Sequence, residues 1–113
     1  MVYDNELGGR ELAAAERLMD DVAMLDSRLD ELSRLDERWL DGEGVRLNTT
    51  VLQRARTMLQ ELLNFGMPRP RVFATLEGGV QAEWTIGCHE ISMTFEPDGS
   101  LYFQGVKTTW KLN

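Results

Sequence analysis

The hydrophobic period of this chain changes once, at a segment no helix can cross, and that change fixes the order of its architecture. Before Gly66-Met67-Pro68-Arg69-Pro70 the apolar residues recur every three or four positions; after it they alternate. Proline lacks the amide that a helix interior needs and pushes the preceding residue toward extended backbone, so Pro68 and Pro70 end any helix that reaches them. A period near 3.6 buries one stripe of a helix, and a period of two buries one face of a strand. The chain therefore reads as helices first and sheet second, an α+β fold. Its 113 residues are the size of one domain that can bury a core without disulfide or metal.

In the C-terminal part, Val72, Ala74 and Leu76 alternate with Phe73 and Thr75, and Val80, Ala82, Trp84 and Ile86 with Gln81, Glu83 and Thr85. Ile91, Met93 and Phe95 alternate with Glu90, Ser92 and Thr94. These are strands with one buried face. Gly78-Gly79, Gly87-Cys88 and Pro97-Asp98-Gly99 are tight-turn punctuation between them. A fourth strand is expected from Leu101 to Val106, and Thr108 to Leu112 either adds a fifth or bends back along an edge. Within it, Leu101-Tyr102-Phe103-Gln104-Gly105 resembles the core of a processing-protease site, with Gly99 where that site has Glu; its alternation after a Pro-Asp-Gly turn reads as native strand. The expectation is a four- to five-stranded antiparallel meander over residues 71–112, its Trp84 and Phe95 face covered by a helix.

The covering helix is expected over residues 50–65. Thr50 and Gln53 form a capping box; Val51, Leu52, Ala55, Met58, Leu59 and Leu62 mark its apolar face, and Gly66 ends it. A longer helical arm is expected over residues 10–40, as one helix or as two divided near Ser27, where Asp30 follows at N-cap spacing. It follows a flexible leader, residues 1–9, and is stopped by Trp39-Leu40-Asp41-Gly42-Glu43-Gly44. Leu18, Val22, Leu25, Leu29 and Leu32 step along this arm at coiled-coil spacing. So narrow a stripe makes no core by itself, and must lie against another helix of this chain, a second copy, or a foreign protein.

Charge separates the two parts. Residues 1–45 hold 13 Asp or Glu against 5 Arg, net −8, and residues 46–113 hold 6 against 7 Lys or Arg, net +1. An acidic arm on a nearly neutral body repels nucleic-acid phosphates and steers toward a basic protein surface. Arg54, Arg56, Arg69 and Arg71 are too few for a phosphate-tracking surface and are expected to meet the acidic helix instead. No apolar run approaches the roughly 20 residues that span a bilayer. With one cysteine, Cys88, and no secretion-type leader, the expectation is a cytoplasmic protein.

Catalytic and metal chemistry find little support in the residue pattern. Cys88 and His89 are adjacent, but neighbours in a strand point to opposite faces, so Cys88 reads as a small buried or turn residue. One His and one Cys do not complete a zinc site. Asp41 and Glu43 lack the ligand ladder of a calcium loop, and Gly78-Gly79 lacks the helix and cation of a phosphate loop. Neither a metal nor a cofactor is expected, and the chain reads as a non-enzyme.

Trp39-Leu40-Asp41-Gly42-Glu43-Gly44, the helix ending before Pro70, Leu76-Glu77-Gly78-Gly79-Val80-Gln81-Ala82-Glu83-Trp84 and Phe95-Glu96-Pro97-Asp98-Gly99 together resemble a group of small uncharacterised bacterial proteins. Their pattern is a Trp-Asp-Gly-x-Gly loop, a helix and a Gly-Gly-x-x-x-x-Trp hairpin. The resemblance spans roughly residues 32–104, with Leu40 inserted between Trp39 and Asp41. It implies an α+β layout and a bacterial, phage or plasmid origin, and carries no activity.

The functional expectation is a protein-interaction module, an antitoxin, immunity or inhibitor-type protein of a bacterial or phage defence or toxin system. Its contacts would be the carboxylates Asp20, Asp21, Asp30, Glu31, Asp36 and Glu37, with Leu25, Leu29 and Leu32 as apolar anchors, and its partner a protein with a basic surface. The alternatives are a structural homodimer or larger oligomer paired through the leucine stripe, and a nucleic-acid mimic of the anti-restriction or anti-CRISPR kind.

Overall fold

Two helices followed by a four-stranded antiparallel sheet make up the computed structural model, which describes residues 5–107. Helix α1 spans Asn5–Ser33 and α2 Thr49–Asn64; the strands are β1 (Arg71–Ala74), β2 (Val80–Ile86), β3 (His89–Phe95) and β4 (Leu101–Lys107). The sheet is a meander in the order β1-β2-β3-β4. The possible fifth strand over Thr108 to Leu112 lies outside the described residues.

The long helix is a single element that starts and stops earlier than its sequence pattern suggests. It begins at Asn5, so residues 5–9 of the expected flexible leader are helical, and it runs through Gly8-Gly9 and Ser27 without a break. A glycine costs a helix about 1 kcal/mol, a local penalty that the Ala13-Ala14-Ala15 turn and the packed turns beyond offset. It ends at Ser33, ahead of the glycine loop. The Ser33 hydroxyl donates to the Asp30 carbonyl at 2.6 Å, and the Arg34 and Leu35 amides bond three residues back rather than four. A short polar side chain competing for backbone groups and a tightened last turn are ordinary ways for a helix to finish.

Helix α2 is capped by Asn48, whose side-chain oxygen accepts from the Val51 amide at 2.7 Å; this replaces the capping box expected at Thr50. Asparagine is the stronger cap, and it sets the start one residue earlier. At the other end the Gly66 amide bonds the Leu63 carbonyl and the Met67 amide the Leu62 carbonyl, each at 3.0 Å. This paired arrangement needs a left-handed residue, and Gly66 supplies it at φ 98°.

The core lies between the helices and one face of the sheet. From α1 come Leu25, Leu29 and Leu32; from α2 Val51, Ala55, Leu59 and Leu63; from the sheet Val72, Val80, Ala82, Trp84, Met93 and Phe95. The alternation expected for β2 and β3 is thus observed through Trp84 and Phe95, while Ile86 is exposed at the strand end. The buried Trp84 indole donates to the Pro68 carbonyl at 2.7 Å. Helix α1 packs beside α2 and against β1, and α2 lies over β2 and β3. The helical layer is therefore displaced toward β1, and no helix of the described residues lies over β4.

Candidate functional site

The leucine stripe is consumed inside the molecule. Leu25, Leu29 and Leu32 are 1%, 0% and 3% exposed, and Leu18 and Val22 pack against the same core. Leu25, Leu29 and Leu32 therefore have no surface to present to a target or to a second copy, and the expectation that they anchor a partner is corrected. Of the stripe over residues 18–32 only the half-buried Leu18 and Val22 keep any surface open. The partner that the narrow stripe requires is α2 of the same chain.

The acidic residues divide by use. Arg56 on α2 bridges Asp26 and Asp30, and the Gln60 amide also donates to Asp26 at 3.0 Å. Arg69 lies 3.6 Å from Asp21, Arg28 pairs with Glu31 at 3.2 Å, and Arg46 with Asp36 at 3.3 Å. Glu37 accepts from the Arg46 amide at 3.2 Å. Arg56 and Arg69 thus meet the acidic helix as expected, whereas Arg71 pairs with Glu83 on its own sheet, at 3.7 Å. Of the six carboxylates anticipated as contacts, Asp20 is the one outside these pairs, and the ion pairs interrupt the row that a phosphate mimic would need.

Beyond the core, α1 overhangs the body. At 1.5 Å per residue its 29 residues extend about 43 Å and the 16 of α2 about 24 Å. From Gly9 to Arg17 every residue except the half-buried Ala13 is exposed. Leu12 on this stretch and Met19 just beyond it are 62% and 70% exposed. Seven apart, they form a second stripe, turned roughly 110° from the leucine stripe at 100° per residue, and flanked by Glu16 and Asp20. At its root a shallow hollow of about 430 Å³ is lined by Leu18, Met19, Val22, Ala23, Asp26 and Asn64. The Leu12–Met19 spacing is readable in the sequence but is eclipsed there by the stronger leucine repeat.

The segment after α1 is a structural turn. Leu40 and Glu43 exchange backbone hydrogen bonds at 2.7 and 2.8 Å around Asp41 and Gly42, both of positive φ. The Trp39 indole lies over Gly44, where an added Cβ would sit 2.6 Å from Nε1, and it donates to the Val45 carbonyl at 3.3 Å. A glycine is thus required beneath the ring. Among the described residues no cluster of three or more His, Cys, Asp or Glu is placed to hold a metal ion.

Cys88 occupies the β2–β3 turn rather than a strand, and there the geometry differs from the expectation for strand neighbours: Sγ comes within 3.8 Å of His89 Nδ1. Both residues are exposed, and no described side chain bonds the imidazole's other nitrogen to orient it. At the β3–β4 turn Asp98 accepts from the Ser100 amide at 2.8 Å, and this bond holds its carboxyl below the usual aspartate range.

A second concavity, about 610 Å³, runs between α2 and the start of β4, lined mainly by Thr50, Arg54, Met58, Phe95 and Leu101. Beside it β4 exposes Leu101, Tyr102, Phe103 and Val106 by 46%, 61%, 66% and 47%. The sequence signal for this was the apolar pair Tyr102-Phe103, which puts aromatic surface on both faces of one strand. No described helix is long and apolar enough to cross a membrane. Comparisons with protein families, with curated proteins and with solved structures gave no match, so the functional reading rests on this chain's own geometry.

Proposed function

We propose that this chain is a small, acidic, non-enzymatic protein-interaction module acting in the cytoplasm, an antitoxin, immunity or inhibitor-type protein of a bacterial or phage defence or toxin system that masks a basic surface of its target. The observation that supports this reading is the overhang of α1, which carries Leu12 and Met19 in the open beside Glu16 and Asp20. A helix that costs entropy to order and buries little of its own apolar surface is stabilised when a second surface covers it. Carboxylates around such a stripe accelerate encounter with a basic target, and the buried apolar groups then set the residence time. The anchors are therefore Leu12 and Met19 in place of the enclosed leucines, and Asp20 is retained as a contact.

The test is a photo-crosslinking amino acid placed at Leu12, at Met19 and, as a control, at Leu40, which is 46% exposed in the loop beyond the opposite end of α1. In the native host both arm positions are expected to capture the same basic protein and Leu40 none. With that protein purified, Glu16→Lys combined with Asp20→Lys should weaken binding at least about tenfold, mostly through the association rate. Equal adducts at all three positions, or unchanged binding by the charge-reversed arm, would overturn the reading.

A further inference from the structure

The two edges of the sheet are built differently. β1 is four residues long, packs against α1, and has its Val72 carbonyl bonded by Arg28 Nε at 2.8 Å. β4 is seven residues long and pairs with β3 without a bulge from Leu101 to Lys107. It contains no proline, and its one charge, Lys107, stands at the end. Natural sheets blunt an edge with short strands, bulges, prolines, charges or a covering element; β1 has two of these devices, and among the described residues β4 has none over six consecutive positions. Both faces of β4 are also apolar. Phe103 and Leu101 stand opposite Met93 and Phe95 on the helix-bearing face, and Tyr102 and Val106 lie on the other.

We infer that β4 pairs antiparallel with β4 of a second copy, joining two sheets into one of eight strands. Among edge pairings this one closes. A two-fold axis through the seam uses the same edge of both copies and leaves only the two covered β1 edges outside, whereas β4 on β1 would propagate as a filament. The residue pattern places the axis at Gln104, the middle of the strand, so that all seven positions pair. Tyr102 then faces the partner's Val106, an aromatic on a β-branched residue, and Phe103 faces the partner's Gly105. A Cβ added at Gly105 would meet nothing within 4 Å, so the space beside it is open to the incoming ring. Lys107 falls across from the partner's Leu101, and no like charges face each other.

Area supports the same occupant. At the exposures given, the four apolar side chains of β4 leave on the order of 400 Å² open per copy, about 800 Å² for two, counting an aromatic at 150–250 Å². A stable interface buries about 1,200–2,000 Å² in total; these side chains supply at most about 800 Å² and the seam backbone adds to it, which puts the pair at the small end of that range.

The axis makes the test specific, because only the residue on it meets its own copy. Opposed Cα atoms of an antiparallel pair lie about 4.5–5.5 Å apart, inside the range a disulfide spans. In a Cys88→Ser background, which removes the exposed native thiol, Gln104→Cys should form a covalent dimer under mild oxidation. Tyr102→Cys should react at least tenfold more slowly, its counterpart being four residues, or about 13 Å, along the seam. Light scattering of the unmodified chain should give twice 12.9 kDa, and Phe103→Lys should shift the equilibrium at least tenfold toward monomer. A monomeric mass from about 1 μM to about 1 mM, a range that reaches weak affinities, would assign the edge to another segment and overturn the inference. Crosslinking of Tyr102→Cys as fast as Gln104→Cys would do the same.

Discussion

Replacing Leu29 by alanine distinguishes a core stripe from an interface stripe by magnitude alone. Leu29 is 0% exposed, sits in the cluster with Leu25 and Leu59, and lies on the half of α1 that packs against the body. Removing its isobutyl group forfeits the transfer free energy of the lost carbons and leaves a cavity that close-packed neighbours only partly refill, together about 2.7–5 kcal/mol. A domain of this size holds about 5–15 kcal/mol in all. The variant should therefore lose a large part of its stability, and its midpoint should fall by at least about 10 °C, since 1 kcal/mol shifts a domain near 100 residues by about 4–8 °C. Urea unfolding followed by far-ultraviolet circular dichroism measures the lost stability and a thermal scan the midpoint, with Leu12→Ala as the internal control. At 62% exposure that change should stay within about 0.5 kcal/mol of the parent. A Leu29→Ala protein within about 1 kcal/mol of the parent, yet unable to bind its target, would refute the reasoning and return the stripe to the interface.

Three further outcomes follow from specific contacts. Trp84→Phe strands the Pro68 carbonyl without its donor and should cost about 1–3 kcal/mol in the same urea assay, against about 3–5 for Trp84→Ala. Arg56→Ala removes the bridge to Asp26 and Asp30; with Arg56 and Asp26 side chains 28% and 39% exposed, the loss should be only about 0.5–1 kcal/mol and should shrink in 1 M salt. Asp98 should titrate by carboxyl-carbon NMR below the usual aspartate value, and Ser100→Pro, which deletes the donating amide, should bring it back up. Because the folded value is the depressed one, the stabilisation from this bond is present above the unfolded aspartate pKa and is lost as pH falls through the folded pKa.

The parts of this fold that are legible in the sequence are those where one local rule acts without competition. The strands through Trp84 and Phe95 alternate cleanly between turn residues, and the end of α2 is set by Gly66 with Pro68 behind it. Errors arise where two local signals compete and tertiary packing decides. Ser33 ends α1 although Leu35, Trp39 and Leu40 prolong an apolar pattern, because the chain folds back there to put Leu47 in the core. Asn48 outcompetes Thr50 as the cap. Leu25, Leu29 and Leu32 pose a different difficulty: spacing states that a stripe must be covered and says nothing of which surface covers it. The Arg56 pairs with Asp26 and Asp30 depend on residues at least 26 positions apart, and only the folded chain brings them together.

Both proposed surfaces come from one mismatch of dimensions. Helix α1 is longer than the helix it packs on, and the two-helix layer is set over β1, β2 and β3 of a four-stranded sheet. Length left over on one side becomes the overhang with Leu12 and Met19; width left over on the other becomes the open strand with Tyr102 and Phe103. The two lie at opposite margins of the fold and share no residue, so their effects should be separable and close to additive. A chain carrying Phe103→Lys should lose self-association and keep its arm, while one carrying Glu16→Lys and Asp20→Lys should keep its mass and lose its target. If either set of substitutions abolished both properties with the fold intact, the two surfaces would be one, and the division of labour between arm and edge would fail.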